Sequence, residues 1–246
     1  MKKMLHAFGM CQSMFCAIPS PWQGWDEKAK DRILDFLPLV GLEIGLLWTG
    51  LAYLCRYLGL PVLMMGAVVC AFPYIATGFM HLDGFMDVMD AVKSWRDLER
   101  RREILKDSRV GSFSVIGCIL LILFQFACAS TIAVRENFWI LSLIPVVSRC
   151  GSALAVSLLP PMETSQYAGQ KKTGGQIFWL MGILVLALAA GFLLRGREGF
   201  ALLGVLGGYG LGLLRAYRSL KGMNGDIAGY SLSLGELAGL ALWAVL

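Results

Sequence analysis

The chain has 246 residues, 57% of them hydrophobic and only 16% charged. A soluble domain carries about 25% charged residues, so a water-soluble globular protein is excluded. The net charge of +5 is scattered over short segments between apolar runs, where it reports membrane orientation rather than a nucleic-acid partner.

The N-terminus places Lys2 and Lys3 before a moderately apolar stretch. No convincing small-residue cleavage site follows, so the stretch is not read as a removed leader. Met4, Phe8, Cys11, Phe15 and Ile18 share one helical face, opposite Lys3, His6 and Ser13. That pattern predicts an amphipathic helix at the membrane interface. Pro19, Pro21 and the charged cluster "DEKAKDR" (26–32) separate it from the first span.

Runs at 36–55, 61–80, 112–134, 138–159, 176–194 and 227–246 reach the roughly 20 apolar residues that cross a bilayer. A run at 200–214 is shorter and rich in glycine, and gives a weaker seventh. The fold class is therefore all-α: a polytopic bundle of about six to seven spans with an N-terminal amphipathic helix. Residues 1–246 form one integral-membrane domain, without a low-complexity linker. Between spans, the stretch from Asp83 to Lys106 has no proline and one glycine, Gly84, which predicts a single hydrophilic helix. "KDSRVGS" (106–112) ends it, and 160–175 and 219–230 read as loops by their Pro and Gly content. The seven cysteines form no CxxC pair and lie in apolar surroundings, so they read as core filler.

With the N-terminus inside and all seven spans real, 17 of the 22 Lys and Arg residues fall on inside segments and four on outside loops. Arg149 lies within a span. The positive-inside rule favours this orientation and puts 81–111 on the cytoplasmic side.

That segment opens with "GFMHLDGFMDVMDA" (78–91). Asp83, Asp87 and Asp90 stand at i, i+4 and i+7, one stripe of a helix that is otherwise apolar. A solvated acidic face is the ordinary fate of such a run. Here, however, the apolar remainder requires packing among other helices. Three packed anions without a cation would cost several kcal/mol each. Oxygen ligands in this arrangement suit Mg2+, which takes one or two carboxylates together with waters and substrate phosphates. His81 lies about 160° from the stripe on an ideal helix, where it reads as a base or a phosphate hydrogen-bond donor, or equally as a helix-entry histidine; a turn at Gly84 leaves a place on the metal open.

The loop "KDSRVG" brings Asp107 and Arg109 to the membrane edge, and arginine is suited to bidentate phosphate binding. Arg149, in "VVSRCGSA", needs a buried anion: the carboxylate stripe or a substrate phosphate. Asp226, in "GMNGDIAG", reads as functional, and Glu236 reads equally as a structural partner for a buried arginine. Glu43 in the first span has no evident partner. No P-loop, dinucleotide fingerprint, zinc signature or GxSxG is present.

Together, "TGFMHLDGFMDVMDA", "ILKDSRVGSF", "SRCGSA" and "GMNGDIAGYSLSLGE", with the N-terminal "IPSP" and "FLPLVGLEIG", resemble the adenosylcobinamide-GDP ribazoletransferases. These are the cobalamin synthases of bacteria and archaea. The resemblance is colinear over most of the chain. It implies transfer of phosphocobinamide from adenosylcobinamide-GDP to α-ribazole or its 5′-phosphate, with release of GMP and a requirement for Mg2+. It places the chain in the cytoplasmic (inner) membrane with the site facing the cytoplasm, and leaves a homo-oligomer open. On this reading Asp83, Asp87 and Asp90 hold the metal, and Arg109 and Arg149 clamp phosphate. His81, Asp107 or Asp226 takes the acceptor's proton. Three positions depart from the usual pattern: Ala17 for an arginine, Phe79 for a second glycine after Gly78, and Asn224 for a threonine. Two other classes compete with this reading. A CDP-alcohol phosphotransferase would carry an Ala-Arg and a later GxxxDxxxD that are absent here. A cation-coupled secondary transporter would show an inverted repeat and a midplane site.

Overall fold

The computed structural model describes residues 2–20, 24–163, 165 and 173–246. Among these the chain builds helices and no strand: α1 (Lys2–Phe15), α2 (Leu37–Tyr57), α3 (Val62–Ala76), α4 (Met80–Lys93), α5 (Leu98–Ile104), α6 (Ser112–Ile132), α7 (Ile140–Leu158), α8 (Gly174–Arg195), α9 (Phe200–Leu220) and α10 (Gly225–Val245). The expected all-α membrane bundle is what forms. In lipid, each backbone N–H and C=O must be satisfied within its own segment, and the helix does this. Pro21 and half of the 160–175 loop lie outside the described residues.

Among the described residues, five helical runs are long and apolar enough to cross a membrane, or six with the bent pair α3–α4. The longest, Gly174–Leu220, would extend about 70 Å if straight. It reverses instead. Gly196 has φ +54°, and a Cβ on Gly199 would lie 2.9 Å from the Gly191 carbonyl carbon. So α8 and α9 are separate passes, and the weak run at 200–214 extends into a 21-residue helix. Its glycines explain both the weak hydropathy and the fold. Gly204, Gly208 and Gly212 face α10 so closely that a Cβ on each would come within 2.5–3.0 Å of α10 atoms. Small residues let the two helices approach.

The span read at 61–80 stops at Ala76. Gly78 and Phe79 both take left-handed backbone, φ +58° and +63°, and α4 leaves at 88° to α3. With 14 residues and three aspartates, α4 is no span. It crosses the end of the bundle, packed against α10 and α6. The single helix expected over 83–106 is also two. Trp95 has φ +55°, and the Asp97 carboxylate accepts from Arg100 N at 2.9 Å to start α5. Neither break carries proline.

α1 rests on protein. Ala7, Met10, Cys11 and Phe15 are buried, against the 3-10 turn Lys30–Phe36 and the start of α2. Of the face expected at the interface, Cys11 and Phe15 pack inward while Met4 stays exposed. Gln12 supplies the partner that Glu43 lacked, donating Nε2 to Oε1 at 3.0 Å.

Candidate active site

α4 and α10 meet backbone to backbone. A Cβ on Gly84 would fall 2.9 Å from Asp226 Cα, and one on Gly229 would fall 3.2 Å from His81 Cα. The Phe85 and Tyr230 rings stack with centroids 5.3 Å apart. This contact carries Asp226, in the first turn of α10, into the field of the α4 carboxylates. Burial first, then the charges of Asp83, Asp226 and Asp90, push the half-buried Asp87 carboxyl up to about 7.

The stripe divides in two. Asp90 accepts from Gly111 N at 2.7 Å and from Ser114 N at 2.9 Å, so its carboxylate caps the N-terminus of α6. A Cβ on Gly111 would sit 2.5 Å from an Asp90 oxygen, which explains the glycine. Asp83 and Asp87 have no such bonds among the described residues, and Asp226 joins them from α10. Asn224 prepares that turn: its Oδ1 accepts from Ile227 N at 3.0 Å, and its Nδ2 donates to Asp226 Oδ2 at 2.7 Å.

Beside Asp226 lies a cavity of about 110 Å3, with His81, Arg149 and Ser152 in its polar wall and Phe15, Leu34 and Leu37 closing it. Arg149 is 1% exposed. It does not meet the aspartate stripe. Its Nη1 donates to Glu236 Oε1 at 2.9 Å, and Ser148 Oγ donates to the same oxygen at 2.9 Å. The partner reading for Glu236 is thus the one the structure adopts. His81 stands on the α10 side of α4, away from the stripe. Burial, then the Arg149 charge, drive its pKa down to about 3, so the imidazole stays neutral.

Asp107 and Arg109 line no part of this cavity. They form an exposed fork of their own: Arg109 Nε and Nη2 donate to Asp107 at 3.0 and 2.7 Å. Hydrogen bonds from Arg109 hold the Asp107 carboxyl down to about 2. Gly111, in their loop, reaches the site by donating its N–H to Asp90.

Among the described residues, no three His, Cys, Asp or Glu side chains stand close enough to hold a metal ion by themselves. The donor set nevertheless fits a hard cation. Asp83, Asp87 and Asp226 offer carboxylate oxygens that repel one another, and Mg2+ takes one or two carboxylates together with water and phosphate oxygens rather than a protein cage.

A family model described as cobalamin-5-phosphate synthase matches residues 7–244. The chain belongs to this family. Among curated relatives, the adenosylcobinamide-GDP ribazoletransferase of Clostridium perfringens (strain 13 / Type A) is 38% identical over all of both chains. That of Clostridium botulinum (strain Alaska E43 / Type E3) is 36% identical over 98% of this chain and 97% of its own. That of Brevibacillus brevis is 30% identical over 96% and 95%. No solved structure matches the chain.

The sequence readings did not include the residues that close the cavity. Phe15, Leu34 and Leu37 look like ordinary core residues, and no polar signal marks them. Ser148 was also missed. Its one available signal was adjacency to a mid-span arginine.

Proposed function

We propose that this chain transfers phosphocobinamide from adenosylcobinamide-GDP to α-ribazole or its 5′-phosphate and releases GMP, and that it does so with Mg2+. The observation that carries the reading is the close α4–α10 contact at Gly84 and Asp226, which puts Asp226 within the charge field of Asp83 and Asp87, next to a cavity lined by Arg149 and His81. Asp83 and Asp87 would hold the ion, and Asp226 would stand beside it as the proton acceptor. When bound, Mg2+ offsets charge on diphosphate oxygens and on the leaving phosphate.

The protein's own residues supply the rest. The acceptor hydroxyl oxygen forms a bond to the cobinamide-linked phosphorus, and the bond from that phosphorus to the GMP oxygen breaks. The hydroxyl proton goes to Asp226. Asp107, held at about 2 by Arg109, and His81, at about 3, are both too weakly basic near neutral pH. Arg149 directs its charge to the phosphate from within the bundle, where low dielectric strengthens it. Arg109, at the rim, meets incoming anionic substrate. The site lies at the bundle end where the lysines and arginines concentrate, which the positive-inside rule assigns to the cytoplasm. An amphiphilic corrinoid could reach it from the bilayer surface.

The test uses membranes containing the full chain, incubated with adenosylcobinamide-GDP, α-ribazole and Mg2+. Formation of the complete corrinoid with equimolar GMP is the expected result. No product, with the substrate intact and the protein folded, overturns the proposal.

A further inference from the structure

Arg149 is held by one corner only. Nη1 is shared among Glu236 Oε1 at 2.9 Å, Pro145 O at 3.3 Å and Ser148 Oγ at 3.5 Å. Nε and Nη2, the other edge of the same planar fork, are fully buried and have no partner among the described residues. His81 Nε2 is buried and unpartnered in the same way. Both side chains line the same cavity. A buried N–H left unpaired costs about 1–3 kcal/mol, and more on a charged group. Two such groups lining one cavity therefore imply a ligand that satisfies them.

Size narrows the ligand. At about 110 Å3 the cavity far exceeds the ~10–15 Å3 that admits one water, and falls well short of the ~300 Å3 where sites for larger ligands begin. A single phosphoryl group fits; a nucleoside or a corrin ring does not. Shape agrees, because the Nε/Nη2 edge of a guanidinium matches two oxygens of a phosphate. Asp226, which lines the same cavity, opposes an anion unless a cation stands beside it.

We propose that this cavity is the receptor for one phosphoryl group of the substrate, and that Glu236, with Ser148, is a positioning residue that holds Nη1 so the Nε/Nη2 edge faces that group. The proposal rests on the phosphotransfer reading above for the identity of the ligand. Glu236 touches no substrate; it acts through Arg149. A carboxylate kept only to neutralise a buried arginine needs its charge. One kept to aim the fork needs only its acceptor oxygen, and glutamine retains that.

The experiment measures binding of inorganic phosphate to the full chain in nanodiscs by thermal shift, at constant ionic strength, with EDTA and separately with Mg2+. Wild type should show a saturable shift in both, with tighter binding in Mg2+. Arg149→Lys should weaken phosphate at least ten-fold. Glu236→Gln should bind within about three-fold of wild type, and Glu236→Ala should lose ten-fold or more. The pair replacement Arg149→Met with Glu236→Met leaves neither partner's charge unpaired, so it should fold and bind no phosphate, which covers the case in which Arg149→Lys does not fold. Phosphate binding indifferent to Arg149, or Glu236→Gln as defective as Glu236→Ala, overturns the inference. Arg149-dependent phosphate binding without ribazole transfer would instead overturn the functional reading and leave the receptor standing. Transfer without Arg149-dependent binding would do the reverse.

Discussion

Gly84 and Asp226 touch across the α4–α10 contact: a Cβ on Gly84 would lie 2.9 Å from the Asp226 Cα. No side chain fits between these backbones, so the spacing of the carboxylates depends on a hydrogen at position 84. Gly84→Ala should push α10 outward, lower stability by about 1–3 kcal/mol and reduce transfer by at least 100-fold. Rates in proteoliposomes together with melting in detergent check this. Wild-type turnover in Gly84→Ala would show that the contact does not set the site.

The divided stripe makes the three α4 aspartates separable. Asp83→Asn and Asp87→Asn should abolish turnover and the response to Mg2+ while leaving insertion intact, because each removes a cation ligand. Asp90→Ala should instead cost about 1 kcal/mol of stability, by uncapping α6. Paired Mg2+ titrations and melting curves separate the two effects. An Asp90→Ala protein with unchanged melting would refute the capping role.

pH should act through Asp87. Its carboxyl rises from 3.8 to about 7 in the folded, metal-free protein. The folded state then binds the proton more tightly than the unfolded chain. The associated stability is fully present below about pH 4 and is lost as pH rises through 7. Metal-free protein should therefore melt lower at pH 8 than at pH 6, and Asp87→Asn should flatten that slope. A cation must displace the same proton, so Mg2+ affinity should rise from pH 6 to pH 8. Calorimetry in two buffers of different ionisation enthalpy would detect the proton released. No proton release would contradict the assignment.

Phe79 sits at φ +63°, in the region where a side chain costs about 1–2 kcal/mol. Its ring is half-exposed, so little packing offsets that cost. Phe79→Gly should raise stability by about 1 kcal/mol, and β-branched Phe79→Val should lower it. Melting curves decide this. A destabilised glycine variant would mean that the ring, and not the backbone, controls this turn.

Several features were legible in the residues because they depend on local periodicity. Apolar run length specified the helices, and the i, i+4, i+7 spacing put Asp83, Asp87 and Asp90 on one stripe. A mid-span arginine required an anion wherever it pointed. The partners could not be read this way. Arg149 and Glu236 are 87 residues apart, and Asp90 finds its donors on a helix that begins 22 residues later. Which carboxylate caps a helix and which faces Asp226 depends on the 88° turn at Gly78–Phe79. It depends equally on glycines that let α10 lie against α4 and α9. Helix periodicity is a property of neighbours along the chain. Crossing angle and register come from side chains packed between distant segments, and only the tertiary structure sets those.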